Sequence, residues 1–223
     1  MSKKIIRNSK LSNRQLKELI RYFALEVPAS RAARELGVNR HSADRIFTLI
    51  RQGIARDCEK QNPLGKGEHE IDESYFGGQR KGRRGRGAAG KVPVFGIRER
   101  SGRVYTRPVP DVKAQTLKQI IRQKIPVGST IYSDSFRSYD GLITDGYKHF
   151  RINHEKEFAR GKRKHINGIE NFWGFAKTKL RRYYGIPKER FFLYLKEMEF
   201  RFNYRHLKNI EKTGLILKLL SNI

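Results

Sequence analysis

The chain has 223 residues and carries 49 Lys and Arg against 22 Asp and Glu, a formal net charge of +27. Charge in that excess repels itself in a compact chain and points to a polyanionic partner, nucleic acid foremost. One cysteine excludes an intrachain disulfide framework or a Cys-x-x-Cys zinc site, and no apolar run approaches the ~20 residues of a spanning helix.

Ser12 to Gln52 has the pattern of a compact helical unit. A first helix is expected over Asn13–Leu25, with Leu16, Leu19, Ile20 and Phe23 on one face. Pro28 interrupts, Ala29–Leu36 forms a second short helix, and Gly37 stops it. A third helix follows over Arg40–Arg51, with Ala43, Ile46, Phe47 and Ile50 inward. Two helices joined by a tight Gly-containing turn are the helix-turn-helix pattern. Its third helix would lie in the major groove, with Arg40, His41, Ser42, Asp44 and Arg45 at the exposed early positions where base contacts originate. A plain three-helix bundle has the same signature. Residues 1–53 are assigned to this unit and 54–67 to a linker, on the strength of Pro63, Gly65 and Gly67. Cys58 falls in that linker, with nothing nearby that argues for chemistry.

From Glu68 the pattern turns to strands. His69–Phe76 alternates and ends at Gly77-Gly78. Acids are disfavoured inside strands, yet Asp72 and Glu73 sit in its middle. Neighbours on a strand face opposite ways, so only one of the two can face a given site. Gln79–Lys91 is a glycine- and arginine-rich loop. Its Arg80, Lys81, Arg83, Arg84 and Arg86 suit phosphate contacts. Strands are expected over Val92–Arg98 and Arg103–Val109, a helix over Ala114–Lys124, and a short strand over Thr130–Tyr132. Asp134 stands just past that strand, where it is placed for a site or for a helix cap beside Ser133 and Ser135. Tyr147–Asn153 suits a fifth strand.

The segment His165–Tyr184 reads as a helix beginning near Asn167, with a buried stripe of Ile169, Phe172, Trp173, Ala176 and Leu180. Beside the stripe run Glu170, Gly174, Lys177 and Arg181. Asn167 and Glu170 have the spacing of a capping box, which would account for both without any site. Trp173 is expected in the core. His154 and His165 flank the basic run Gly161–Lys164, and either suits a phosphate contact or a proton transfer. A last helix over Lys188–Tyr204 presents Phe191, Phe192, Leu195, Met198 and Phe202 to a core. Arg201, Asn203 and Arg205 either contact DNA or cap the fold.

Taken together, IDESYFGG (71–78), STIYSDSFRSYDGL (129–142), INHEKEF (152–158), NGIENFWGFAK (167–177) and EMEFRFNYR (197–205) resemble the bacterial insertion-sequence transposases of the DDE class. The resemblance is to the small type with a helix-turn-helix ahead of the catalytic domain. It implies an α/β fold, an RNase H-like mixed sheet with flanking helices over 68–223, preceded by the small all-α domain. It implies that Asp72, Asp134 and Glu170 are the catalytic acids and the metal ligands, and that Lys177 touches DNA beside them. Arg181 extends the same helix face. The implied cofactor is Mg²⁺, two ions, with Mn²⁺ able to substitute. The implied partners are double-stranded DNA, both element ends and target, and further copies of the chain. A bacterial cytoplasm and attachment to the nucleoid through DNA would follow, with no membrane. Many relatives carry a cysteine-paired zinc ribbon near the N-terminus; this chain does not.

The chemistry is consistent with that reading. Two divalent ions about 3.5–4 Å apart can activate an attacking oxygen and stabilise a leaving one. Mg²⁺ takes few protein oxygens and completes its octahedron with water and phosphate. Glu170 and Lys177 are two helical turns apart and share a face. Two rivals use the same residues differently: an RNase H-like nuclease, and a DNA-binding regulator whose acids are structural.

Overall fold

The computed structural model describes residues 5–6, 9–60, 64–77, 90–134, 137–139, 141–152 and 166–221. The chain divides into two units, Met1–Lys60 with Asn203–Ile223, and Gln61–Phe202.

The first unit contains α1 (Asn13–Ala24), α2 (Ala29–Glu35), α3 (Arg40–Lys60) and the last helix, α7 (Asn209–Ser221). Ser12 starts α1 with a capping box, accepting from the Gln15 amide while the Gln15 side chain accepts from the Ser12 amide. Gly37, at φ 61°, makes the turn between α2 and α3. Leu16, Leu19, Ile20, Phe23, Phe47 and Ile50 fill the centre, with the Phe23 and Phe47 rings edge to face at 5.2 Å.

Two features differ from the sequence expectation. Helix α3 continues through residues 54–60, which were expected as linker. Ile50, Ile54 and Cys58 are buried at four-residue intervals, so the apolar stripe outweighs the propensity cost of Gly53, about 1 kcal/mol. The C-terminal helix α7 was not anticipated. It buries Ile216 and Leu220 and packs on α1 and α3, so the end of the chain belongs with the N-terminal unit.

The second unit is built on a five-stranded mixed sheet of order β3-β2-β1-β4-β5. Its strands are β1 (Glu68–Phe76), β2 (Val92–Glu99), β3 (Val104–Pro108), β4 (Thr130–Ser133) and β5 (Lys148–Arg151). β1 is central: it pairs antiparallel with β2 and parallel with β4, and β5 runs parallel to β4. On one face, α5 (Asn167–Arg181) and α6 (Lys188–Asn203) pack through Phe76, Val94, Ile169, Phe172, Trp173, Leu195 and Met198. On the other, α4 (Ala114–Lys124) and the short turn Arg137–Tyr139 pack through Ile71, Phe95, Ile97, Leu117, Ile121 and Tyr139. The second unit is thus an RNase H-like mixed sheet with flanking helices, and the fold class is the expected one.

The edge strand β3 is closed by α6. Oε2 of Glu199 accepts from the Thr106 amide at 2.8 Å and from the Thr106 hydroxyl at 2.7 Å. Lys196 Nζ lies 3.0 Å from the same oxygen. An edge amide that would otherwise face outward is thereby satisfied. Arg201 is buried against Glu197 at 2.8 Å, so it is tied into the fold.

Candidate active site

Asp72 lies at the middle of the central strand, on the face covered by α5. Its cross-strand neighbour on β2 is Gly96. A Cβ on Gly96 would stand 2.7 Å from Cη2 of Trp173 and 3.0 Å from Cδ1 of Ile169. The missing side chain is therefore what lets the indole approach the sheet so closely. Trp173 is only 4% exposed, and its Nε1–H donates to Oδ2 of Asp72 at 3.0 Å. The core position expected for this tryptophan is correct, and it carries in addition a polar contact that periodicity does not show.

Glu73, the adjacent acid, faces the other layer, where it accepts from the Tyr139 hydroxyl. Burial and then the charge on Glu73 push the Tyr139 hydroxyl well above its usual range. Asp72 thus stands on the α5 side and Glu73 in the opposite core, as strand alternation requires.

Asp134 follows β4 directly. The parallel register pairs Glu70 with Tyr132, and the charge of Asp134, two residues beyond Tyr132, is felt at Asp72, two residues beyond Glu70. Glu170 is exposed in the first turn of α5. The Asp72 carboxyl is pushed up to about 6. Burial is the main cause, and the negative charges of Asp134 and Glu170 add to it. The Glu73 amide and the Trp173 indole pull the other way. Asp134 and Glu170 are thus both close enough for their charges to be felt at Asp72. Among the described residues no group of three or more His, Cys, Asp or Glu side chains is placed to hold a metal ion. The oxygens that Asp72, Asp134 and Glu170 would offer are hard carboxylate donors, the type that Mg²⁺ takes.

The expected Asn167–Glu170 capping box is absent. Ile166 occupies the cap position with no side-chain bond. Its place is taken from across the sheet by Glu70, two residues before Asp72. Glu70 is fully buried, and its Oε2 accepts from the Ile169 amide at 2.8 Å. Its Oε1 lies 3.4 Å from Arg98 Nη1 and 3.3 Å from Arg100 Nε. Gly168 clears the way: a Cβ there would come within 2.6 Å of Glu70 Oε2. An acid at a helix start is favoured by the unpaired amides and the helix dipole. The signal was present in the sequence, because Glu70 is an acid inside a strand on the same face as Asp72.

Lys177 and Arg181 are exposed along α5, on the side that carries Glu170. Lys177 Nζ lies 5.8 Å from the Phe76 ring centroid. In the first unit Arg40, His41 and Arg45 are exposed and Ser42 is half-buried. Arg40 Nε sits 3.6 Å from the Asp44 carboxylate. Arg80, Lys81, Arg83, Arg84, Arg86, His154 and His165 lie outside the described residues.

Comparison with known proteins follows the same lines. Residues 65–203 match the family model described as ISXO2-like transposase domain. An uncharacterized transposase-like protein of Haemophilus influenzae is 51% identical over 107 residues, 48% of this chain and 86% of that protein. An uncharacterized protein in transposable element ISH50 of Halobacterium salinarum is 27% identical over 168 residues, 67% of this chain and 57% of that protein. Among solved structures, a pre-cleavage Mos1 transpososome aligns over 99% of this chain and 81% of its own at 10% identity. Its TM-score of 0.27 is too low for that likeness to bear on the argument. The family model spans well over half of the chain, including Asp72, Asp134 and Glu170, and the chain belongs to the ISXO2-like transposase family.

Proposed function

We infer that the protein is a DNA transposase that binds the terminal inverted repeats of an insertion sequence. It cleaves the element ends and joins the freed 3′-hydroxyls to target DNA by Mg²⁺-dependent phosphoryl transfer. The observation that supports this reading is that the charges of Asp134, just past β4, and of Glu170, on α5, are both felt at the buried Asp72 of β1, in a chain of net charge +27. A buried acid whose proton affinity is raised by two neighbouring acids is a cost to the fold unless it is used.

In this reading Asp72, Asp134 and Glu170 hold the divalent ions, Mg²⁺ or in its place Mn²⁺. Bound there, the ions supply Lewis-acid stabilisation of the attacking and leaving oxygens. Lys177 meets a phosphate beside the site. Around the end of α5, Arg181, Arg182, Lys188 and Arg190 are exposed with Tyr184, which is 99% exposed. Basic residues interleaved with an open aromatic ring suit a nucleic-acid strand. Arg40, His41, Ser42 and Arg45 would make the helix-turn-helix contacts, and Arg80, Lys81, Arg83, Arg84 and Arg86 would add phosphate contacts. Joining two ends needs two sites, so the working form would be a homo-oligomer on DNA.

The test is cleavage of a labelled duplex carrying the element's terminal repeat, in Mg²⁺ and in EDTA, with the natural chain and with Glu170→Gln. Metal-dependent nicking at the repeat boundary, lost in Glu170→Gln, is the expected result. Cleavage without regard to the repeat would make the protein a nuclease. Repeat binding with no cleavage in any metal would make it a regulator.

A further inference from the structure

The geometry points to Glu70 and Trp173 as positioning residues that index the helix carrying Glu170 to the strand carrying Asp72. The inference rests on the reading of those acids given above. Two buried hydrogen bonds join β1 to α5: Glu70 Oε2 to the Ile169 amide at 2.8 Å, and Asp72 Oδ2 to the Trp173 indole at 3.0 Å.

Their spacing is matched. Glu70 and Asp72 share one face of a strand, two residues or about 6.6–6.8 Å apart. Ile169 and Trp173 are four residues apart on a helix, a rise of about 6 Å. Two bonds between the same strand and helix, one at a helix amide and one at a side chain a turn further on, fix translation along the strand and rotation about the helix together, which neither bond does alone. Glu170 follows Ile169 directly, so its direction relative to Asp72 is set by the same pair.

Two glycines make the approach possible. Gly96 leaves room for the indole and Gly168 for the Glu70 carboxylate, and a methyl group at either would meet its partner at closer than van der Waals distance. Arg98 and Arg100 are paired with the Glu70 carboxylate. The hydrophobic contacts of α5 tolerate small slides, because apolar packing is non-directional. The hydrogen bonds do not, because their energy falls steeply with misalignment.

The decisive variant is Trp173→Phe, which keeps an aromatic ring and removes only the donor and the outer part of the indole. Binding of Mn²⁺ alone is measured by calorimetry, and cleavage kinetics are measured on the terminal-repeat duplex. Partners that orient metal ligands typically contribute 10–100-fold. We expect Mn²⁺ affinity and kcat each to fall at least about 10-fold, with KM for DNA unchanged. Glu70→Ala is expected to behave alike, and Glu70→Gln, which retains an oxygen for the Ile169 amide, to recover most of the loss. Should Glu70→Ala not fold, Trp173→Phe still decides.

Trp173 is the sole tryptophan of the chain, so the natural protein shows one indole N–H resonance. That resonance is expected to shift as Mg²⁺ is added, and not to shift in Asp134→Asn. A folded Trp173→Phe with natural Mn²⁺ affinity and kcat would overturn the positioning role and leave the transposase reading in place. A natural chain that binds no Mn²⁺, cuts no DNA and shows an unmoved indole would remove that reading and the positioning role with it.

Discussion

At Asp72 the proposed function and stability pull in opposite directions. Its carboxyl is raised from 3.8 to about 6, by burial first and by Asp134 and Glu170 after it. The folded state therefore holds this proton more tightly than the unfolded chain does. Its contribution is favourable below about pH 4 and is lost as pH rises through about 6. A shift of that size corresponds to something on the order of 3 kcal/mol in metal-free protein above pH 7. Asp72→Asn keeps an oxygen for the indole and never ionises. In EDTA it is expected to melt above the natural chain at pH 7.5, with the difference closing toward pH 4. Divalent ions should narrow the gap by stabilising only the natural chain, and in our reading Asp72→Asn cuts no DNA. Thermal melts of both proteins across that pH range check this. A gap independent of pH would show that burial and repulsion at Asp72 are not its origin.

Among elements, those with local signals were legible and those fixed by distant partners were not. The stripe Ile169, Phe172, Trp173, Ala176 and Leu180 is buried as its periodicity required, and α4 spans the expected Ala114–Lys124. The five strands fall within a residue or two of their expected ends. What escaped was non-local. The start of α5 is capped by Glu70, 99 residues before Ile169. Gly53 looked like a breaker but lies inside α3 because its neighbours bury a continuous stripe. Of the proposed acids, Asp72 was separable from Glu73 only through the family pattern, since alternation shows that they diverge without showing which faces the site. The same non-locality governs α6, where Glu199 and Lys196 lie buried against β3. Burial pushes the Glu199 carboxyl up, while Lys196 and Thr106 pull it down. Glu199→Ala would leave the Lys196 ammonium buried without this partner and the Thr106 amide without its acceptor. The expected loss is about 3–5 kcal/mol. Glu199→Gln, which keeps an acceptor for the amide, should lose less. Urea unfolding of the two variants distinguishes them, and equal losses would show that the edge-strand bond contributes nothing.

For the whole molecule, the return of the C-terminus to the first unit changes what a truncation does. A chain ending at His206 retains every proposed site residue but lacks α7. Ile216 and Leu220, 1% and 2% exposed, would be lost from the first unit, at about 1.5–3 kcal/mol for each buried side chain. Amide exchange in α1 and α3 should quicken in the truncated chain while the sheet stays protected. Uniform quickening would contradict the division into two units. The charge of +27 is also a whole-molecule quantity. If it serves DNA, binding is dominated by release of counterions from phosphate, and log K falls against log salt with a slope of about −0.9 for each phosphate neutralised. Lys177→Ala should make that slope shallower by about one unit. Glu170→Gln should leave it nearly unchanged, because in our reading Glu170 would hold a metal ion and not meet the DNA backbone. Filter binding of the terminal-repeat duplex over a range of salt concentrations measures all three. A natural chain with a nearly flat slope would mean that its positive charge is not spent on phosphate, and the reason for gathering acids within so basic a protein would have to be sought elsewhere.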